Sequence, residues 1–247
     1  MIDDPVGQAR RLAGARFPDA LSVILAGSAS AGRATATSDL DLAVLVEEGG
    51  ETYRETIRFE GRLVELFVHT RTGLAELFAA DVESRRGTLQ SMYADGAVLV
   101  DRDGAARAAR AFAVADLLAG PRALAPDMVE TKRYGLSDAL DDLGDARDRF
   151  ERLAVAEVVL GGAADLLSDH RGAWLGAGKW RPRRLLAADP KLGGALLDGH
   201  ARLCAADDPA PLAAAATDVL ALVGGPLREG YRRTWHVSPG AVTAARR

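Results

Sequence analysis

Three acidic residues stand where their surroundings are apolar. Asp39 and Asp41 flank Leu40 just ahead of Leu42-Ala43-Val44-Leu45-Val46, and Glu65 interrupts Leu63-Val64-Glu65-Leu66-Phe67-Val68. Alternate side chains of a strand share a face, so Asp39 and Asp41 project the same way and can hold one or two divalent cations between them. Their hard oxygen donors suit magnesium, which binds few protein carboxylates and completes its shell with water and substrate phosphates. Two close carboxylates repel unless a positive charge compensates them. A lone carboxylate in an apolar strand likewise needs pairing or a metal. If the strand of Glu65 neighbours that of Asp39 and Asp41, three acids converge.

Upstream, residues 21–26 form a compact apolar run that stops at Gly27-Ser28. A glycine there lets the backbone approach a phosphate closely. Ser28 adds a hydroxyl and an N–H at the expected start of a helix, where anions are favoured. Ten residues separate Ser28 from Asp39 within GSASAGRATATSDLDL.

This arrangement resembles the signature of the polymerase-β-like nucleotidyltransferases: a Gly-Ser turn, then about ten residues later an Asp-x-Asp strand, then a further acid on a later strand. The resemblance covers about residues 20–104, including the ending Val98-Leu99-Val100-Asp101-Arg102-Asp103-Gly104. It implies Asp39, Asp41 and Glu65 as catalytic, metal-holding acids, with two magnesium ions. It implies nucleotide contacts at Gly27, Ser28 and Ser38, with ATP as co-substrate. A nucleoside monophosphate would pass to an acceptor hydroxyl and pyrophosphate would leave. The chain is also similar to bacterial aminoglycoside adenylyltransferases, in which a glutamate on the later strand is implied to act as general base. Glu65 is thus metal ligand, base or both. By the same resemblance the acceptor is a small hydroxylated molecule, an aminoglycoside or lincosamide antibiotic among the candidates. Two other readings stand beside it: adenylylation of a partner protein, as antitoxins of some toxin pairs perform, and an inert nucleotide-sensing module.

The elements that must position these groups follow from pattern. Residues 6–16 read as a helix ahead of Pro18, and residues 21–26 and 39–46 as buried strands. Residues 52–60 and 62–70 around Gly61 read as a hairpin, residues 72–86 as a helix and residues 97–100 as a last short strand. After about residue 105 strand signals vanish, and Ala-, Leu-, Asp- and Arg-rich segments are punctuated at Gly120-Pro121, Gly161-Gly162, Arg181-Pro182, Asp207-Asp208-Pro209 and Gly224-Gly225-Pro226. Leu136, Leu140 and Leu143 share one helical face, as do Ala156, Val159, Leu160 and Ala163. The expected architecture is an α/β (α+β) domain over residues 1–105, a short mixed sheet flanked by helices. A C-terminal all-α bundle over residues 106–247 follows, with the active cleft between the two.

Other groups admit both a chemical and a plainer role. Lys132 and Arg133, near the start of a helix after Pro126, are placed to reach a triphosphate, where a cation stabilises departing pyrophosphate; ordinary surface charge is the alternative. The acidic stretch Asp138, Asp141, Asp142, Asp145 and Asp148 suits either a cationic acceptor or a solvated helix face. Glu130, Glu151 and Glu157 are candidate acceptor-side bases. The segment from Gly178 to Arg184 sets four cations beside Trp180 and suits either a nucleic-acid or nucleotide site or a solvated helix start anchored by a buried Trp180. The four histidines, His69, His170, His200 and His236, show no metal-ligand spacing.

Composition sets the limits. The chain has 247 residues, 48% of them hydrophobic and 27% charged, which allows a sizeable core. A net charge of −4 argues against nucleic acid as a partner, since that affinity comes from cations neutralising phosphates. One cysteine excludes an internal disulfide, and no signal-peptide layout or long apolar run is present, so a cytoplasmic protein with no membrane contact is expected.

Overall fold

A computed structural model describes residues 4–35 and 37–234. The chain divides into two compact units, Met1–Arg122 and Ala123–Arg247.

The first unit is built on a five-stranded mixed sheet. Its strands are β1 (Ser22–Ala26), β2 (Leu40–Leu45), β3 (Tyr53–Phe59), β4 (Arg62–His69) and β5 (Ala97–Asp101), in the order β3-β4-β2-β1-β5. β2 and β4 run parallel, while the other neighbours are antiparallel. The β3–β4 hairpin turns at Glu60-Gly61, both with positive φ (47° and 84°). Such two-residue turns match the strand twist and lock the register, here Phe59 opposite Arg62.

Strand alternation divides the core between two faces. Val23, Leu25, Leu42, Val44, Val64, Leu66 and Val68 pack on one side with Ala9, Leu12 and Ala13 of α1 (Pro5–Arg16). Ile24, Ala43 and Leu45 pack on the other with residues of α3 (Arg71–Glu83), α4 (Thr88–Asp95) and α5 (Ala105–Ala119). A single-turn helix, α2 (Gly27–Ser30), follows β1.

Two differences from the sequence reading concern this unit. The helix expected over 72–86 ends at Glu83, and a separate α4 follows Gly87, whose φ of 57° is left-handed. A boundary after residue 105 was expected, but Ala105, Ala106, Ala109 and Ala113 of α5 are buried against the sheet, so the compact unit runs on to Arg122.

The second unit is all helix among the described residues: α6 (Pro126–Asp145), α7 (Arg149–His170), α8 (Trp180–Ala188), α9 (Pro190–Ala206) and α10 (Ala210–Leu222). Leu136, Leu143, Ala156, Val159, Leu160 and Ala163 join its core as their spacing predicts. Gly161-Gly162 does not break a helix; α7 runs through it, and a Cβ on Gly162 would only touch Leu136 at 3.6 Å. Tertiary packing overrides the weak helix propensity of glycine here. Trp180 is not the expected buried anchor: it is 44% exposed, with the Arg183 guanidinium 5.0 Å above its ring.

After α10 the chain is fastened to α6. Arg133 donates to the carbonyls of Gly224 (2.7 Å) and Gly225 (3.1 Å), and the Leu227 N–H donates to the Ser137 hydroxyl at 3.0 Å. Arg228 pairs with Asp138 and Asp141, and Tyr231 stacks on Tyr134 with ring centroids 4.2 Å apart. No described helix is long and apolar enough to cross a membrane.

Candidate active site

The parallel pairing of β2 with β4 sets Asp41 directly opposite Glu65, and Asp39 stands just before β2. Each of the three offers a carboxylate oxygen, and these oxygens all lie within 4.8 Å of one another. Among the described residues this is the group of His, Cys, Asp and Glu side chains that converges closely enough to hold a metal ion. The set is all carboxylate oxygen, which matches a hard divalent cation such as magnesium rather than zinc or copper.

Gly27 is part of the same construction. It has φ +69°, and a Cβ built there would lie 2.1 Å from Asp41 Oδ2. Only a residue without a side chain lets the end of β1 pass this close to the carboxylate. Ser28 is half-buried in α2 beside it. Ser38 turns inward to its own loop, where its hydroxyl accepts from the Thr35 N–H at 2.9 Å and its carbonyl accepts from Arg62 at 2.6 Å.

Arg54 joins the site although no motif marks it. From β3 its guanidinium donates to Glu65 Oε2 at 2.7 Å and lies 4.9 Å over the Phe67 ring. The signal was present: a two-residue turn at Glu60-Gly61 pairs Thr56 with Glu65, which puts Arg54 two residues along on the same face. The Arg54 side chain is 62% exposed and its pair with Glu65 is solvent-screened, so stability gains at most about 1 kcal/mol. Its effect on a cation is larger in kind. Replacing Arg54 with Met keeps much of the stem over Phe67 but removes a positive charge beside Glu65. Divalent-cation affinity, measured by manganese titration calorimetry, is expected to rise a few-fold, as about 1 kcal/mol per unit charge at 4 Å in water implies.

His69, four residues along β4, is 2% exposed, and its Nδ1 lies 3.2 Å from the Tyr93 hydroxyl. Burial lowers its pKa from 6.5 to about 4, and burial raises that of Tyr93. Between these two values the unfolded chain binds more protons than the folded one. The stability contribution is therefore complete above pH 6.5 and lost as the pH falls toward 4. The total is roughly 3 kcal/mol. Thermal melts at pH 7.5 and 5 are expected to show a larger drop for the native chain than for His69→Leu.

The remaining sequence candidates lie in the second unit. Lys132 is ion-paired with Asp169, whose side chain is 4% exposed. Glu157 pairs with Arg181, and Asp138 and Asp141 are held by Arg228. His170 and His200 lie on α7 and α9, and His236 lies outside the described residues.

Residues 8–78 match the nucleotidyltransferase domain family, a span that contains Gly27, Asp39, Asp41 and Glu65. The match covers the segment from α1 to α3 and stops short of α4, α5 and the second unit. A search of curated proteins gives no match. Among solved structures, the chain is similar to a nucleotidyltransferase-like protein from Exiguobacterium sibiricum 255-15. The identity is 13% and the TM-score 0.46, over 88% of this chain and 74% of that one.

Proposed function

We propose that this nucleotidyltransferase is a metal-dependent enzyme that moves a nucleoside monophosphate, AMP from ATP, to a hydroxyl of a small acceptor and releases pyrophosphate. The observation that carries the reading is the convergence of Asp39, Asp41 and Glu65, beside a glycine at φ +69° whose added Cβ would press on Asp41, inside the segment that matches the nucleotidyltransferase domain family.

In this reading Asp39, Asp41 and Glu65 hold magnesium, which when bound neutralises phosphate charge and acidifies the acceptor hydroxyl. Gly27 and Ser28 take the triphosphate, with Ser38 at the edge of the loop. Lys132, the further candidate for a phosphate contact, is ion-paired with Asp169. The acceptor oxygen forms a bond to the α-phosphorus as the bond to the bridging oxygen of pyrophosphate breaks. Glu65 takes the hydroxyl proton, and Arg54 fixes the direction of that carboxylate. No covalent intermediate with the protein is needed, because positioning and charge neutralisation supply most of the rate in phosphoryl chemistry. Magnesium-ATP as substrate fits a cytoplasmic enzyme.

The test is pyrophosphate release from each NTP with magnesium across a panel of hydroxylated acceptors, including aminoglycosides and lincosamides. Release that requires both an acceptor and Asp41 supports the reading. Nucleotide binding without release with any acceptor overturns it in favour of a protein target or a sensing role.

A further inference from the structure

The sheet face that carries Glu65 continues into a cavity. Glu65, Phe67 and His69 alternate along β4 and so share that face. Beyond Glu65 a cavity of about 510 Å³ opens between the strands and the helices α3 and α4. Arg54, Phe67 and His69 form its floor, and Leu77, Leu89 and Met92 form its walls. Arg54 belongs to both places: it donates to Glu65 at 2.7 Å and covers the Phe67 ring. The volume falls in the ordinary range of small-molecule sites, roughly 300–1,000 Å³.

The charge of the lining is specific. Asp81 is the carboxylate among the residues that line the cavity, and it is engaged, accepting from the Leu89 N–H at 2.7 Å and from the Ser84 hydroxyl at 3.3 Å. Arg54 contributes a positive charge. A polycation filling the cavity would bring its charges against the Arg54 guanidinium, and the carboxylate of the lining, Asp81, already accepts two hydrogen bonds, so its apolar part offers such a ligand little return for the water it gives up. A flat apolar body would instead find Phe67, Leu89 and Met92, with the Arg54 guanidinium already stacked beside the ring.

We infer that this cavity seats the acceptor, and that the acceptor is a neutral, ring-bearing alcohol or phenol rather than an aminoglycoside. Its apolar body lies against Phe67, Leu89 and Met92, and its hydroxyl points past Arg54 to Glu65. The inference rests on the nucleotidyl-transfer reading of the site for its hydroxyl, but on the cavity alone for its shape and charge.

The experiment uses 2-naphthol as the apolar hydroxyl probe and kanamycin as the polycationic one, with the full chain. Calorimetry measures binding of each, and pyrophosphate release with ATP and magnesium measures turnover. Two variants fill the cavity from its exposed rim: Thr88→Trp on α4 and Leu77→Trp on α3. The expected result is saturable binding of 2-naphthol, weakened on the order of tenfold or more by each variant. Manganese titration and far-UV circular dichroism are expected to stay unchanged. Tighter binding of kanamycin than of 2-naphthol overturns the inference, as does 2-naphthol binding or KM that neither folded variant alters. Naphthol binding that both variants weaken, with no pyrophosphate release from any NTP, removes the transfer reading and leaves the cavity as a ligand site.

Discussion

Asp41→Asn is expected to abolish acceptor-dependent pyrophosphate release, with a loss on the order of 10³-fold or more, and to leave the fold intact. The substitution preserves shape and removes one charge from a cluster whose oxygens lie within 4.8 Å. Asp41 sits at the centre of that cluster, opposite Glu65 on β4 and opposite Ala26 on β1. Loss of cation binding should accompany loss of turnover, because the remaining acids no longer enclose the ion on both sides. The measurement is a paired one: manganese affinity by calorimetry and initial rate of pyrophosphate formation. An Asp41→Asn protein that keeps both would remove the triad from the mechanism.

Gly27→Ala is the second large effect, and it acts through geometry. An alanine at φ +69° carries a backbone cost of about 1–2 kcal/mol. Its Cβ would also stand 2.1 Å from Asp41 Oδ2, so the carboxylate must swing away from Asp39 and Glu65. Displacements near 1 Å in a positioned site cost on the order of 10²-fold in rate. The expected outcome is a folded protein, its melting temperature lowered by several degrees, with turnover reduced to that extent. Gly27→Ala with native turnover would show that Asp41 need not stay where it is seen.

The convergence of Asp39, Asp41 and Glu65 was legible because the candidate site is short in sequence and regular in geometry. The period of two in β2 and β4 announces which residues share a face, and an acid in such a run has few explanations other than a partner or a metal. Arg54 escaped because its contribution depends on the register of a hairpin, which composition does not reveal until the turn residues are fixed. Gly161-Gly162 misled for a related reason: two glycines signal a break only where nothing compensates, and packing of α7 in the second unit compensates them. The boundary at residue 105 failed to foresee that α5 belongs to the sheet, because an alanine-rich helix serves equally well on a sheet or in a bundle. α4 was lost in the same way, hidden behind a left-handed Gly87 that reads as a loop.

The clasp of the segment after α10 onto α6 bears on synthesis. The first unit is complete once Arg122 has left the ribosome, but the second has its closing contacts, at Leu227, Arg228 and Tyr231, near the end of the described chain. During translation α6 must therefore wait, with Tyr134 and its acidic row unclasped, until some hundred later residues have emerged, at about 5–20 residues per second. For that interval of seconds the sheet unit exists as a finished body while the helical unit is still open, and a chaperone or protease would find the helical unit the less protected of the two.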